Sequence, residues 1–126
     1  MLPLADVVSL HLPLTNKTKH LFDAQRFKQM KLGALFVNTS RGQIVDEDAL
    51  RTMLESGLLG GAYLDVFALE PLPPENPLWS IPNIIITPHA ASWTHGWDLK
   101  AANFFLENFE NWKFGRNMNN VVFPIK

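Results

Sequence analysis

Three side chains, each placed shortly after an apolar run, have the chemistry needed to reduce a carbonyl group. Arg41 lies in NTSRGQIVD, Glu70 in LDVFALEPLP and His89 in IIITPHAAS. A guanidinium can hold a 2-keto acid through paired hydrogen bonds, and an imidazole supported by a carboxylate can transfer a proton. Together with a hydride donor, these groups would reduce a 2-keto acid, provided that the fold brings the three loops to one cleft.

The elements that must position these loops are short apolar segments alternating with amphipathic ones. Asp23 and Asp46 are predicted to cap the first two helices, and Gly57 is predicted to end the second. The proline-rich loop after the third strand is predicted to have no regular structure, and Gly60-Gly61 is predicted to precede that strand. The pattern predicts strands over residues 6–12, 34–37, 62–66 and 84–87, and helices over residues 24–30, 47–56 and 97–114.

Apolar strands that alternate with amphipathic helices indicate an α/β fold with a parallel sheet covered on both faces. In such sheets, ligands bind beyond the carboxyl ends of the strands. Arg41 follows the second predicted strand, Glu70 the third and His89 the fourth. The predicted sheet would therefore bring all three side chains to the same edge.

Composition restricts the classes of partner and compartment. The chain has 126 residues, 47% hydrophobic and 18% charged residues, a net charge of −1 and no cysteine. These values predict one cytoplasmic globular domain without disulfides, and they give no reason to expect nucleic acid or a membrane as partner. No metal site is predicted, because no histidine pair has ligand spacing and the acidic residues 46–48 are typical of a helix start.

Four motifs together resemble one enzyme family. ADVVSLHLPLTNKTKHLFD, MKLGALFVNTSRGQIVD, GGAYLDVFALEPLPPENPLW and NIIITPHAAS are similar, in this order, to segments of the D-isomer-specific 2-hydroxyacid dehydrogenases. The resemblance runs from about residue 5 to residue 92. It implies the carboxy-terminal half of a Rossmann-like doubly wound parallel sheet, about four strands with flanking helices. It also implies a 2-keto or 2-hydroxy acid substrate and NAD or NADP as cofactor, with NAD favoured.

The resemblance implies catalytic roles for individual residues. Arg41 would bind the substrate carboxylate and carbonyl oxygen, and His89 would protonate that oxygen as hydride arrives. Glu70 would hydrogen-bond His89 and orient its ring. Asp65 would accept a hydrogen bond from the nicotinamide carboxamide, although a structural hydrogen bond to a neighbouring loop is the alternative, because an unpaired carboxylate at a strand end is costly.

The remaining assignments concern the walls of the site. By the same resemblance, the backbone around Pro13, Thr39 and Ala90 would line the cofactor channel, and Thr18 lies where the family often contacts the cofactor. Trp93, four residues past His89, is predicted to form one wall of the substrate pocket and to favour a larger or apolar substrate side chain.

One family feature is missing from the chain. No G-x-G-x-x-G turn is present to hold the cofactor's pyrophosphate. The chain is therefore interpreted as a partial dinucleotide-binding domain (residues 1–96) followed by a helix and tail (residues 97–126) that would pack toward a substrate domain. The isolated chain is expected to be inactive, and the alternative is a non-catalytic fragment or interaction module that keeps the fold.

The first strand predicts self-association. DVVSLHL is apolar on both faces, as in a central strand, but its usual neighbour in the family is not in this chain. An apolar open edge promotes pairing with another chain. We expect a homodimer or another self-associated form, unless the tail NNVVFPIK covers that edge.

Overall fold

The first compact unit of the chain contains a four-stranded parallel sheet. The computed structural model describes residues 1–122, and this unit spans Met1–Ser92. The strands are β1 (Val7–Leu10), β2 (Ala34–Asn38), β3 (Leu59–Leu64) and β4 (Ile84–Ile86), and they lie in the order β1-β2-β3-β4. All three strand pairs are parallel. The predicted α/β fold with a parallel sheet is confirmed.

Two short helices cover one face of this sheet. Helix α1 (Ala24–Phe27) begins at Asp23, whose carboxylate accepts from the Arg26 N–H at 2.8 Å. Helix α2 (Glu47–Glu55) begins at Asp46, whose carboxylate accepts from the Ala49 N–H at 3.0 Å. Both predicted caps are confirmed.

Three phenylalanines form the centre of the core. Phe22, Phe27 and Phe36 are buried, and their ring centroids lie 5.0 to 5.4 Å apart. They join the end of the loop after β1, helix α1 and strand β2. The core therefore lies between the helices and one face of the sheet, whereas Leu35 and Ile85 on the sheet are 46% and 64% exposed.

The prediction for the third strand was wrong in its bounds. Strand β3 starts at Leu59, three residues before the predicted start, so Gly60 and Gly61 lie inside it. Sequence propensity disfavours glycine in strands, but here neighbouring backbone approaches closely. A Cβ on Gly60 would lie 2.5 Å from the Gly33 carbonyl oxygen, and one on Gly61 would lie 3.0 Å from that of Asn83. Tertiary contact therefore overrides propensity.

Other elements are shorter or more regular than predicted. Strand β1 ends at Leu10 because its pairing with β2 ends at Asn38. Helix α1 ends at Phe27, and a tight turn follows in which the Met30 N–H bonds the Phe27 carbonyl at 2.9 Å. Within the proline-rich loop, which was predicted to be irregular, Pro77–Ser80 forms a 3-10 helix.

The second compact unit, Trp93–Lys126, contains one long helix. Helix α3 (Trp97–Lys113) follows Gly96, which has a left-handed φ of 70°. The structure describes all of α3, and none of its side chains is buried. After it, the Asn119 N–H donates to the Asn108 side chain at 2.7 Å. The last four residues of the predicted tail lie outside the described residues, and the boundary predicted between residues 96 and 97 stays a prediction.

Among the described residues, no helix has both the length and the apolar character required to cross a bilayer.

Candidate active site

The loops that follow the four strands carry nearly all of the predicted site residues. Thr39 and Arg41 follow β2, Glu70 lies in the loop after β3, and His89 comes three residues after β4 ends. Because all four strands are parallel, these loops lie at the same edge of the sheet. The arrangement is the one needed to bring the predicted groups together.

His89 and Glu70 form a direct hydrogen bond. The distance between His89 Nδ1 and Glu70 Oε2 is 2.8 Å, and the side chains are 49% and 35% exposed, respectively. The second carboxylate oxygen of Glu70 accepts from the Phe67 N–H at 2.9 Å. Both oxygens of Glu70 therefore have partners, and the carboxylate is fixed relative to its own loop.

The pKa of Glu70 identifies the donor in this pair. Desolvation raises the pKa of the carboxyl, but the hydrogen bonds from His89 and Phe67 and the charge of His89 outweigh it, so the pKa lies below its ordinary value. Glu70 is thus ionised near neutral pH, and an ionised carboxylate can only accept. Nδ1 of His89 must carry the proton in this bond, which leaves Nε2 to exchange a proton with a ligand.

Arg41 lines the same cavity as this pair. A small cavity of about 170 Å³ is bounded by Arg41, Gly42, Phe67, Glu70 and His89, among others. The guanidinium of Arg41 is exposed, and its Nη1 donates to the Ser40 carbonyl at 2.6 Å. Arg41, Glu70 and His89 therefore line one small space.

A buried asparagine shapes the loop that carries Arg41. Asn38, at the end of β2, is 1% exposed. Its amide nitrogen donates to the Arg41 carbonyl at 3.0 Å, and its amide oxygen accepts from the N–H and hydroxyl of Ser40 at 3.1 and 2.9 Å. Asn38 directly follows the predicted strand over residues 34–37, and no role was predicted for it. An asparagine after an apolar strand is a weak signal, because such residues are common in turns.

The loop that carries Glu70 is contacted by three residues of the segment that follows Arg41, and no role was predicted for any of them. Gln43 donates from its side chain to the Ala68 carbonyl at 3.2 Å, and Glu47 accepts from the Ala68 N–H at 2.6 Å. Gly42 lies against the same segment, where a Cβ would be 1.9 Å from the Phe67 carbonyl carbon. These contacts join residues far apart in sequence, so no local pattern indicates them.

Burial raises the pKa of Glu47, and the neighbouring charges of Asp48, Asp46 and Glu70 raise it further, against the hydrogen bond from Ala68. This carboxylate therefore combines a helix-start position with a contact that links α2 to the loop after β3.

Asp65 has a different environment from the one predicted for a cofactor contact. Its side chain is 1% exposed. One carboxylate oxygen accepts from the Thr87 hydroxyl and from the Ala90 N–H at 2.8 Å, and the other accepts from the Ala91 N–H at 2.8 Å. Burial raises the pKa of Asp65, but these hydrogen bonds and the charge of His89 bring it below its ordinary value. Asp65 is buried and both of its carboxylate oxygens already accept hydrogen bonds. Its predicted hydrogen bond from a nicotinamide carboxamide stays a prediction.

The predicted lining of the cofactor channel lies at the carboxyl end of the sheet. Thr18 donates from its hydroxyl to the Pro13 carbonyl at 2.7 Å, which closes the loop after β1. Thr39 and Ala90 are half-buried and follow β2 and β4. The predicted channel lining thus comes from loops over three strand ends and stays a prediction, and the sequence has no G-x-G-x-x-G turn for a pyrophosphate.

Trp93 belongs to the second unit and is exposed, so its place in a substrate pocket stays a prediction. A larger, mostly apolar cavity of about 620 Å³ also borders the His89–Glu70 pair, and residues such as Leu72, Trp79 and Ile86 line it. Among residues 1–122, no group of three or more histidine, aspartate or glutamate side chains could hold a metal ion.

Comparisons with known proteins agree on one family. Residues 1–91 match the family model of the D-isomer specific 2-hydroxyacid dehydrogenase, NAD binding domain. The chain is 44% identical, over 98% of its length, to a glyoxylate/hydroxypyruvate reductase B from Citrobacter koseri, and 43% identical, over 94%, to a glyoxylate reductase from Korarchaeum cryptofilum. It spans only 38% and 36% of those two proteins.

A solved structure agrees with these relatives. The crystal structure of a D-isomer specific 2-hydroxyacid dehydrogenase from Xanthobacter autotrophicus Py2, in complex with NADPH and MES, superposes with a TM-score of 0.88 at 41% identity. The match covers 98% of this chain and 50% of that one.

Proposed function

We propose that this chain, which belongs to the D-isomer-specific 2-hydroxyacid dehydrogenase family, supplies the catalytic loops for the reduction of a small 2-keto acid. The match of residues 1–91 to the family model confirms the family resemblance that the motifs indicate. The observation that carries the proposal is the 2.8 Å bond between His89 Nδ1 and Glu70 Oε2, beside a cavity that Arg41 also lines.

In this proposal, each of the three side chains has one task. Arg41 grips the substrate carboxylate through charge-assisted hydrogen bonds and orients the adjacent carbonyl. His89, with both ring nitrogens protonated, delivers the Nε2 proton to the carbonyl oxygen and is left as the Nδ1–H imidazole, whose Nε2 takes a proton back in the reverse reaction. Glu70 keeps the Nδ1 proton in place, so that Nε2 always faces the substrate.

The proposed cofactor is NADH or NADPH, which supplies the hydride when bound. Pro13, Thr39 and Ala90 would line its channel and Thr18 would contact it, and Asp65 is the residue proposed for the nicotinamide carboxamide. The family resemblance favours NAD, whereas the similar protein from Xanthobacter was crystallised with NADPH. Parallel titrations with the two reduced cofactors decide between them.

The relatives' names give the substrate class to be tested. Two of them are called reductases of glyoxylate or of glyoxylate and hydroxypyruvate, and we infer that this chain handles 2-keto acids of that size. The small volume beside Arg41, about 170 Å³, suits such a substrate. Trp93 is proposed as a further wall, and a panel of keto acids of increasing side-chain size tests it.

The experiment follows absorbance of NADH and NADPH with glyoxylate, hydroxypyruvate and pyruvate. It uses the protein made from its own gene, with whatever coding sequence precedes Met1. His89→Gln should lower kcat by roughly 10²- to 10⁴-fold, the usual contribution of general acid catalysis. Arg41→Ala should weaken transition-state binding by about 2–5 kcal/mol, as expected when a charged partner is removed.

His95→Gln is the matched control, because His95 is an exposed histidine that lines neither of the two cavities beside the His89–Glu70 pair. Its turnover should equal that of the unchanged protein. Turnover that survives in the Arg41→Ala protein would rule out the proposed role of the guanidinium.

A second candidate rests on strand β1. Among the described residues, β1 pairs with β2 alone, which leaves its other edge open. We infer that this edge favours self-association, in line with a non-catalytic scaffold or a homodimer. Titration of the chain with NADH, followed by fluorescence, separates the two candidates. Very weak binding is expected without pyrophosphate contacts, and tight binding would favour catalysis by the isolated chain.

A further inference from the structure

The turn that carries His89 has an unusual backbone conformation. His89 has a φ of 53°, in the left-handed region that residues with a side chain rarely adopt. Such a conformation costs on the order of 1–2 kcal/mol. Contacts with neighbouring residues must offset this cost. The turn includes Pro88 and Ala90, and hydrogen bonds to the residue that follows β3 oppose this cost.

Asp65 forms these hydrogen bonds with the turn through both its backbone and its side chain. The Asp65 carbonyl accepts from the His89 N–H at 2.9 Å. Its carboxylate accepts from the Thr87 hydroxyl and from the N–H groups of Ala90 and Ala91. One residue therefore makes four hydrogen bonds to residues 87–91.

Asp65 is itself firmly attached to the sheet. Its N–H donates to the Asn38 carbonyl at 3.0 Å, which extends the pairing of β2 with β3 beyond the end of the strand. On the other side, the Thr87 hydroxyl that reaches Asp65 is also 2.9 Å from the Tyr63 hydroxyl. The chain of contacts thus runs from the sheet, through a buried carboxylate, to the turn of His89.

We propose that Asp65 is a positioning residue for His89, because its buried carboxylate fixes the turn at residues 87–91 and thereby the direction of the imidazole. The carboxylate touches neither substrate nor reacting atoms in this arrangement. It acts through the turn, and the ring reaches Glu70 only while the turn keeps its shape. The importance of this role for catalysis rests on the proposed function, but the role itself is a property of the folded chain.

Nuclear magnetic resonance of the ¹⁵N-labelled chain tests the proposal without cofactor or substrate. The first measurement is hydrogen exchange at the Ala90 and Ala91 amides, which report the hydrogen bonds to the carboxylate. The second is the long-range ¹H–¹⁵N spectrum of the neutral His89 ring, which reports the tautomer. The Nδ1–H form is expected, since Glu70 accepts from that nitrogen.

Asp65→Asn keeps the shape of the side chain but turns an amide NH₂ toward backbone donors. Loss of hydrogen bonds to a charged group should speed exchange at Ala90 and Ala91 roughly 10- to 100-fold. The His89 ring should then populate both tautomers, because the bond to Glu70 loosens. Thr87→Val removes only the hydroxyl, and its effect on exchange should be roughly 2- to 10-fold.

Two controls separate the hydroxyl from the general effect of substitution. Thr87→Ser restores the hydroxyl and should restore both readouts. Thr52→Val is the matched control, because the Thr52 hydroxyl donates to the Asp48 carbonyl at 2.9 Å within α2, outside the site. It should leave Ala90, Ala91 and the ring unchanged.

Unchanged amide exchange in Asp65→Asn would overturn the proposal. Faster exchange together with an unchanged His89 tautomer would also overturn it, since Asp65 would then stabilise the turn without positioning the ring. If Asp65→Asn does not fold, the comparison of Thr87→Val with Thr87→Ser decides by the same two readouts. An enzyme assay that fails while these readouts behave as expected would count against the proposed function alone.

Discussion

Gly42→Ala tests whether the loops of Arg41 and Glu70 are held together by direct backbone contact. Gly42 has no left-handed φ, so an added methyl group meets only a steric obstacle. The new Cβ would lie 1.9 Å from the Phe67 carbonyl carbon, 2.1 Å from its oxygen and 2.4 Å from the Ala68 nitrogen. All three atoms belong to the backbone, which cannot rotate away as a side chain can.

The magnitude follows from what must move. Ordinary van der Waals contact begins at 3.4 Å, so the segment at Phe67 and Ala68 must retreat by about 1.5 Å. Such a shift is large enough to break two hydrogen bonds of Ala68: the one that its carbonyl accepts from the Gln43 side chain at 3.2 Å and the one that its N–H donates to Glu47 at 2.6 Å. Overpacking alone costs typically 1–3 kcal/mol, and hydrogen bonds to charged groups are worth about 1.5–3 kcal/mol. We expect a destabilisation on the order of 3 kcal/mol.

The assay is urea unfolding of the chain followed by circular dichroism, with Gly57→Ala as the matched control. Gly57 ends helix α2 with a φ of 74°, and nothing lies within 4 Å of its added Cβ. The control therefore carries the same methyl group but suffers only the left-handed backbone term. Alanine also makes the unfolded chain less flexible, which partly offsets this backbone term. Gly57→Ala should therefore lower the free energy of unfolding by only about 1 kcal/mol.

Amide exchange localises the effect. In Gly42→Ala, the Ala68 N–H should exchange faster than in Gly57→Ala, because its bond to Glu47 is lost. A Gly42→Ala chain that unfolds at the same urea concentration as the unchanged chain, or that is more stable than Gly57→Ala, would refute the reasoning. It would mean that the two loops can separate freely.

Three further predictions concern pH, a helix cap and the sheet edge. The pKa of Asp65 lies below its ordinary value of 3.8 in the folded chain. The stability that its ionised carboxylate contributes is therefore complete above pH 3.8 and is lost as the pH falls through the folded-state pKa. Unfolding measured at several acidic pH values should show this loss, and the Asp65→Asn chain should not show it. Asp46→Ala removes the cap of α2 and should lower the free energy of unfolding in urea by about 1 kcal/mol. Val7→Lys places a charge on edge strand β1 and should reduce self-association in light scattering, whereas an unchanged chain that stays monomeric at all concentrations would contradict the predicted pairing.

The strands and the order of the loops were predictable because both depend on local pattern. Apolar runs mark the strands, and parallel strands place their following loops at one edge, so the sequence alone is enough to group Arg41, Glu70 and His89. The caps at Asp23 and Asp46 were predictable for the same reason, since a cap depends on its own side chain and the next three residues.

The supports of the site could not be predicted, because they are tertiary contacts. Nothing near Gly42 in the sequence shows that Phe67 lies against it, and nothing near Glu47 indicates Ala68. Asp65 was recognised as a carboxylate that needs partners, but sequence left open whether these belong to a cofactor or to a loop. The structure supplies three partners from residues 87–91, which a pattern along the chain cannot specify.

The exposed polar residues of this site are accessible to a ligand, whereas the buried polar residues hydrogen-bond the turns that carry the exposed ones. Arg41, Glu70 and His89 lie on loops where a ligand can reach them, and loops alone are poor at fixing direction. Asn38 and Asp65, each 1% exposed, lie behind them at the ends of neighbouring strands and hydrogen-bond the turns that carry Arg41 and His89. Because the Asp65 N–H also bonds the Asn38 carbonyl, the two supports are joined to each other through the sheet. The backbone of the turn that carries Arg41 and that of the turn that carries His89 are therefore connected through the ends of β2 and β3.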